Sequence, residues 1–240
     1  MIKLNRLLFF FSLPVFLLAF SCSAGIDGVL MEGGAAEITV KTSLEPRTSA
    51  LIRSIRGFLG ESADAPILDG AAIGRSIAAA PGIRSVSLKN TAPAALDGSF
   101  SVSNVNDFLS SGSPDGRFIS YTEGRTAGSS SIVITLDRAS APQIISRLSA
   151  EAEEYLSALM APAVLGEYMS SREYLDLLSM VYGRALADEV AAARIRAAIE
   201  FPRPVSEMQG GRAAGKQAEF DIPLLDILVL ERPLRYEVKW

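Results

Sequence analysis

The stretch RIRAAIEFPRPVSEMQGGRAAGKQAEFDI, Arg194–Ile222, decides the fold class of this chain. From Arg194 to Phe201 apolar side chains alternate with charged ones, the period of two that is typical of a half-buried strand. The segments PRPV and QGG then bracket a further short strand, because proline and glycine interrupt regular structure. Gln217 to Ile222 pairs back across the glycine turn. The stretch therefore predicts antiparallel strands joined by short turns.

Strand patterns recur on both sides of this stretch, with loop segments rich in Gly and Ser between several of them. In chain order they predict strands at residues 36–42, 84–89, 99–103, 118–122, 131–137 and 234–240. The strand at 99–103 is expected to follow a turn at Asp97-Gly98. The strands predict a meander of mostly antiparallel sheet.

Two amphipathic helices in tandem are the clearest helical signal. Ser140 can cap the first, over residues 140–159, and Ser170 with Glu173 has the S-x-x-E spacing of a capping box before the second. Because helices and strands are grouped and do not alternate, the sequence predicts an α+β fold. We expect a mostly antiparallel sheet with the two tandem helices packed on one face.

Residues 1–21 have the layout of a secretory signal peptide. Lys3 and Arg6 precede an apolar run, Leu7–Phe20, that is broken once by Pro14. A helix of about 14 residues covers roughly 21 Å, short of a hydrocarbon core of about 30 Å. The run is therefore expected to be removed and not to remain as a spanning helix.

Cys22, the only cysteine of the chain, follows this run directly. The end of the signal, Ala19-Phe20-Ser21-Cys22, resembles the lipobox of bacterial lipoproteins, where the chain is cut before a cysteine that is then acylated. The alternative is an ordinary signal peptide cut after Ser21, since Ala19-x-Ser21 also fits a small-x-small site. We predict that Cys22 is the lipidation site and that palmitate-type acyl chains hold the protein on the membrane.

These boundaries divide the chain into three parts. Residues 1–21 are the predicted signal peptide of lipoprotein type, residues 22–34 the acylated cysteine with a flexible Gly-rich tether, and residues 35–240 a single α+β domain.

Composition excludes several function classes. The chain of 240 residues contains no histidine, which removes the usual general base near neutral pH and the commonest zinc ligand. Its net charge is −4, and no window concentrates basic residues, so neither a nucleic-acid surface nor a polybasic membrane patch is expected. We predict no catalytic residue, no cofactor and no metal ligand.

Two motifs suggest chemistry but have simpler interpretations. In GGRAAGKQ, Gly210–Gln217, the spacing of a phosphate loop ends in Gln217 where a hydroxyl residue should bind Mg²⁺, and a hairpin is expected instead. None of the lysines after the signal has a serine three residues before it, so the Ser/Lys hydrolase pattern is missing.

Carboxylates and aromatic residues complete the candidates. Glu151, Glu153 and Glu154 fit a solvated helix face, and Asp221 and Asp226 flank a Pro-Leu-Leu turn where they could meet, although capping of a helix by Asp221 is the simpler role. The aromatic side chains are expected to be mostly core, with a groove between the tandem helices and the sheet as the place for an acyl chain or glycolipid. They are Tyr155, Tyr168, Tyr174, Tyr182, Tyr236 and Trp240.

A family resemblance is carried by three segments. The segments IRAAIEFPRPVSEMQGG and FDIPLLDILVLERPLRYEVKW, together with LDGSFSV at Leu96–Val102, are similar to the pattern of LppM-like bacterial envelope lipoproteins. The resemblance implies a lipid-anchored α+β domain with affinity for envelope lipids or glycolipids, and it implies no catalytic residue.

We therefore expect a non-enzymatic lipoprotein of the cell envelope, on the periplasmic face of a membrane or on the outer membrane. It is anchored by acyl groups on Cys22 and binds envelope lipid, glycolipid or a partner protein, and it does not bind nucleic acid. The alternatives are an envelope hydrolase that uses a carboxylate pair or Ser/Lys, and a structural subunit of an envelope complex.

Overall fold

The computed structural model describes residues 23–58, 66–112, 119–141, 159 and 161–240. The predicted signal peptide, Cys22 and most of the first tandem helix lie outside the described residues.

The larger sheet has seven strands in the spatial order β3-β4-β2-β1-β7-β10-β9. Their bounds are β1 Ser23–Leu30, β2 Ala36–Ser43, β3 Ile83–Ala92, β4 Ala95–Val102, β7 Arg194–Glu200, β9 Arg212–Ala214 and β10 Gln217–Pro223. Neighbouring strands run antiparallel except β1 and β7, which are parallel. The sheet is therefore mixed.

The smaller sheet has four antiparallel strands in the order β5-β6-β11-β8. They are β5 Ile119–Thr122, β6 Ser131–Leu136, β8 Glu207–Gln209 and β11 Leu234–Lys239. Trp240 follows β11 directly and is 1% exposed, with its ring centroid 4.5 Å from that of Phe201. Its N–H donates to the carbonyl of Ser130 at 3.1 Å, so its backbone as well as its ring is fixed.

The described helices are α1 Pro46–Phe58, α2 Gly70–Ala78, α3 Val105–Gly112, α4 Pro162–Leu165, α5 Ser171–Tyr182, α6 Arg184–Ala192 and α7 Leu224–Val229. One apolar cluster joins them to the sheets. It includes Ile52 of α1, Ile77 of α2, Leu178 of α5, Val190 of α6 and Val238 of β11. Burial of such side chains contributes about 1.5–3 kcal/mol each.

The predicted class is confirmed as α+β, but the expectation of a mostly antiparallel sheet is too simple. Alternation within a strand shows which side chains share a face. It does not show whether the neighbouring strand in the sheet, which can come from a distant part of the chain, runs parallel or antiparallel. The parallel pair β1 and β7 joins residues far apart in the chain, which local patterns cannot show. Of the two tandem helices only the second, α5, lies within the described residues, so the packing of the pair on one face of the sheet stays a prediction.

The prediction of a flexible tether over residues 22–34 is wrong for Ser23–Leu30, so the described domain begins at Ser23 and not at residue 35. These residues form β1, which pairs with β2 on one side and β7 on the other. Ala24 and Leu30 are buried and lie on the core face, which the Gly- and Ser-rich composition conceals. Only the segment after β1 is a turn, where Gly33 and Gly34 have φ of 82° and 79°.

Two other local predictions have clear outcomes. The hairpin in GGRAAGKQ is confirmed, because β9 and β10 pair antiparallel on either side of Gly215. The turn at Asp97-Gly98 is wrong: both residues lie inside β4, and the chain turns before Ala95.

The capping box of α5 is also confirmed. The Ser170 hydroxyl accepts from the Glu173 N–H at 3.3 Å, and the Ser170 N–H donates to the Glu173 carboxylate at 2.8 Å. Glu231 adds a second cap, accepting from the Ser171 N–H at 3.0 Å. Hydrogen bonds from Ser170 lower the pKa of Glu173, and those from Ser171 lower the pKa of Glu231.

These two caps predict an acid-sensitive stability. A carboxyl whose pKa is lowered by folding stabilises the native state above its ordinary pKa of 4.5, and this stability is lost as the pH falls through the lower folded value. In the double variant Glu173→Gln/Glu231→Gln, the urea midpoint should fall less steeply below pH 4.5 than it does in the wild type. Urea titrations from pH 7 to pH 3, followed by the fluorescence of Trp240, measure the difference. Parallel curves would contradict the role of the caps.

Candidate functional site

The start of β1 is the structural neighbour of the predicted lipidation site. Cys22 lies outside the described residues, but Ser23 is exposed at one end of the seven-stranded sheet, with its hydroxyl 3.3 Å from that of Ser43. We call this end the Ser23 end. Because β1 lies between β2 and β7, this end is near the middle of the sheet and not at an edge.

The face of the seven-stranded sheet that carries the odd-numbered residues of β1 is mostly polar, with Val29 as an exposed apolar side chain, and we call it the open face. Ala24 and Leu30 point to the opposite face, into the core. The open face carries Ser, Thr, Gly and charged side chains from β3, β4, β2, β1, β7 and β10. An exposed polar face is ordinary for a sheet packed on one side only, so the polarity of the open face does not by itself indicate a function. The distribution of charge on the open face is more informative.

Charge is distributed unevenly along the strands of the open face. Its near half, the two rows of residues closest to the Ser23 end, has four cations and two carboxylates: Lys41, Lys89, Arg194, Arg196, Asp97 and Asp221. Its far half has one arginine and four carboxylates: Arg212, Asp27, Glu37, Glu200 and Glu219. The described part of the open face is therefore positive at the Ser23 end and negative at the other.

A groove of about 370 Å³ lies at the Ser23 end, and charged side chains of Lys41, Asp97, Arg194 and Arg196 line it. Among the described residues, neither Lys41 nor Arg194 has a carboxylate oxygen within 4 Å. Arg196 has one, Asp221, at 3.9 Å, and both side chains are largely exposed. Exposed pairs of this kind contribute little to stability, so the cations stay available for a ligand.

A second groove, of about 640 Å³, lies further along the open face. Gly210 and Gly211 form part of its wall, and Arg212 and Glu219 form an exposed ion pair at 3.3 Å. Its charges are mixed, so it has no preference for one sign of ligand.

No window of the sequence is rich in basic residues, but the fold gathers cations from separate strands in the near half of the open face. Lys41, Lys89 and Arg194 come from β2, β3 and β7, which are distant in the chain. The available signal was the alternation within each strand, which puts Arg194 and Arg196 on one face. This alternation does not show the order of the strands in the sheet, and it is that order which places the cations of different strands side by side.

The aromatic side chains are partly core, as expected. Tyr174 and Trp240 are buried, and burial raises the pKa of Tyr174, whose hydroxyl donates to the Leu159 carbonyl at 3.0 Å. Tyr168 is the exception, being 81% exposed with its ring 4.3 Å below the Arg138 guanidinium. Tyr155 lies outside the described residues.

The predicted apolar groove between the tandem helices and the sheet involves the first of these helices, which is not described. Tyr168 instead lines a polar cavity of about 400 Å³ together with Asp226, Glu231 and Arg232.

The carboxylates considered for hydrolysis are not brought together. Asp221 lines the second groove of the open face, whereas Asp226 lines the cavity beside Tyr168. Capping by Asp221 is wrong as well, because Pro223 is the N-cap of α7 and no side chain caps it. Glu151, Glu153 and Glu154 lie outside the described residues.

In the described part of the chain, Lys239 is paired with carboxylates, and no cluster of side chains could hold a metal ion. A hydrogen bond to Glu207 at 2.8 Å raises the pKa of Lys239, so this amine is a weaker candidate for a general base than a lysine without such a partner. No group of three carboxylate or cysteine side chains in the described part of the chain could hold a metal ion. None of the described helices has the length and apolar character needed to span a bilayer.

No family model matches the chain, and no curated protein matches it. Among solved structures, the NMR structure of the folded domain of LppM from Mycobacterium tuberculosis aligns with a TM-score of 0.39 at 10% identity. That alignment covers 90% of this chain and 87% of the other. At these values the likeness is a weak similarity of fold and contains no information on function.

Proposed function

We propose that this chain is a bacterial envelope lipoprotein without enzymatic activity. It is acylated on Cys22 and presents its α+β domain at the membrane surface, on the periplasmic side of a membrane or on the outer membrane. The domain binds envelope lipid, glycolipid or a partner protein. The observation that carries the proposal is the lone cysteine at the end of the apolar run, directly before the first strand of the fold.

Acyl chains on Cys22 would hold the domain firmly at the membrane. Each buried CH₂ of an acyl chain contributes about 0.8 kcal/mol, so several chains on one cysteine hold a domain stably. A solitary exposed thiol outside the cytoplasm would instead be open to oxidation and disulfide-linked dimers. The single cysteine has no partner in the chain with which to form an internal disulfide.

The absence of enzymatic activity is supported by the chemistry of the side chains. The chain has no histidine, Asp221 and Asp226 line different cavities, and Lys239 is paired with Glu207 and Glu237. What the domain offers instead is the open face, with a groove lined by cations at its Ser23 end.

Metabolic labelling tests the anchor. Cells that express the full chain are grown with labelled palmitate, with and without an inhibitor of lipoprotein signal peptidase. The wild-type protein should take up label, and the inhibitor should cause a longer precursor to accumulate. Cys22→Ala should take up none, and Ser23→Ala, next to it, should label like the wild type. Unlabelled wild-type protein would refute the proposal.

A further inference from the structure

We infer that the Ser23 end of the seven-stranded sheet docks end-on against anionic phospholipid headgroups of the membrane that holds the anchor. This inference rests on the proposed acylation of Cys22. It adds which surface of the domain meets the bilayer, and which side chains contact it.

The first argument is that no flexible segment separates the anchor at Cys22 from the sheet. Consecutive Cα atoms are about 3.8 Å apart, so an acylated Cys22 places its lipid within one residue of Ser23. A flexible tether of about 12 residues would have allowed a separation of roughly 20 Å. Because β1 pairs with β2 and β7 on its two sides from Ser23 to Val29, it cannot separate as a tether without breaking the centre of the sheet.

The second argument is the charge distribution of the open face. If the sheet lay flat, the carboxylates of the far half, such as Asp27 and Glu37, would meet the anionic surface and be repelled. When the sheet stands on its Ser23 end, Lys41, Arg194 and Arg196 meet the phosphates, together with Asp97, which lines the same groove. The far carboxylates are then held away in solvent. On the open face, the end-on orientation therefore presents net positive charge to the membrane, while Glu45 after β2 and Asp69 beside Asn90 add carboxylates at the same end.

The third argument is the spacing of these cations. Lys41 and Arg196 are both partners of Gly25, on the two strands that flank β1. Strands lie about 4.8 Å apart, so the two residues are separated by roughly 10 Å across the groove. Arg194, the first residue of β7, lies two residues closer to the Ser23 end than Arg196 does. The acyl chains supply the affinity for the membrane, and these cations set the orientation.

Fluorescence quenching by headgroup-labelled lipid tests the inference on the full lipidated protein. Once Cys22 is acylated, a single introduced cysteine is the only thiol that takes up a fluorophore. Ser43→Cys places the probe at the Ser23 end, and Ser85→Cys is the matched control at the far end. Both serines are exposed on the open face, and each hydroxyl pairs with one other serine. The rows they occupy are six residues apart along β2, roughly 20 Å.

The labelled proteins are reconstituted into vesicles of phosphatidylethanolamine and phosphatidylglycerol that carry a nitroxide on the headgroup. A headgroup region is only about 5–8 Å thick on each side, so quenching should be several-fold stronger at position 43 than at position 85. Equal quenching, or stronger quenching at position 85, would overturn end-on docking. Shielding at position 43 without quenching would indicate a second copy on this surface and would also overturn it.

A charge series tests the role of the cations. Raising the phosphatidylglycerol content should increase quenching at position 43, and the triple variant Lys41→Gln/Arg194→Gln/Arg196→Gln should lose this increase. The control Arg84→Gln/Arg212→Gln/Lys216→Gln removes the same charge outside the near half of the open face and should keep the increase. An unchanged increase in the first triple variant would overturn the headgroup contact.

The two proposals fail in different ways. Mass spectrometry of the same samples reports whether Cys22 carries lipid, and Trp240 emission reports whether each variant is folded. Lipid on Cys22 without preferential quenching at position 43 refutes the docking alone. A free thiol at Cys22 refutes the anchor and the docking together.

Discussion

Replacing Arg138 by methionine is expected to lower the free energy of unfolding by about 3–4 kcal/mol. The Arg138 guanidinium donates to four backbone carbonyls, those of Glu167 at 2.6 Å, Leu230 at 2.9 Å, Val229 at 3.2 Å and Met169 at 3.3 Å. One side chain thus joins the end of β6 to the segment before α5 and to the end of α7.

The reason for the large effect is the set of acceptors left behind. A partly buried carbonyl without its donor costs about 1–3 kcal/mol, and water can restore only some of these bonds. Leu230 also has a left-handed backbone with φ of 48°, a strained conformation for a residue other than glycine. Arg138 holds it in place.

Urea unfolding followed by the fluorescence of Trp240 measures this loss. Arg138→Lys keeps the charge but not the planar fork of donors, and should recover less than half of the stability. Arg184→Met is the control: its side chain is 87% exposed and its partner Asp188 lies at 3.7 Å, so a change within about 0.5 kcal/mol is expected. Equal midpoints for Arg138→Met and the wild type would show that the four hydrogen bonds contribute nothing.

Gly98→Ala is expected to cost about 2–4 kcal/mol. Gly98 lies within β4 beside the edge strand β3, and a Cβ there would overlap the carbonyl oxygen of Ser87 and lie 2.7 Å from the Leu88 Cα. Both are backbone atoms, so β3 itself would have to move, together with α2, which packs on it.

The matched control for this substitution is Gly74→Ala. Gly74 lies in α2, and its Cβ would meet only Val86 at 3.6 Å and Leu88 at 3.9 Å, ordinary contacts with the same strand. Alanine in a helix interior should be neutral or stabilise by up to about 1 kcal/mol. The thermal unfolding midpoint should therefore fall for Gly98→Ala and stay the same or rise for Gly74→Ala. A Gly98→Ala protein as stable as Gly74→Ala would contradict the close approach of β4 and β3.

The sequence predicted correctly those helices, strands and turns that are determined by residues close together in the chain. The capping box at Ser170 and Glu173, the alternation of β7 and the hairpin at Gly215 each depend on residues within a few positions. The strand β1 was missed because Ser23, Gly25 and Gly28 suggested a linker. The alternation of Ala24, Ile26 and Leu30 with polar residues was the weaker signal.

The candidate site depended on pairings that no local pattern contains. Ser23 lies beside Ser43 and Arg194, the second of these far along the chain. The cations of the near half become one surface only because of that order of strands. The sequence could thus predict an anchor at Cys22, but the surface next to it required the fold.

The anchor and the fold together describe a domain whose central strand begins where the lipid would be attached. With a lipid on Cys22, the Ser23 end would face the membrane, and the smaller sheet is joined to the larger one through the shared core that includes Trp240.

The intact mass of the protein extracted from membranes tests the central claim most directly. The predicted result is a chain that begins at Cys22 and carries the added mass of a diacylglyceryl group, or of that group with one further acyl chain. A chain that begins at Cys22 with a free thiol, or that retains residues 1–21, would contradict it.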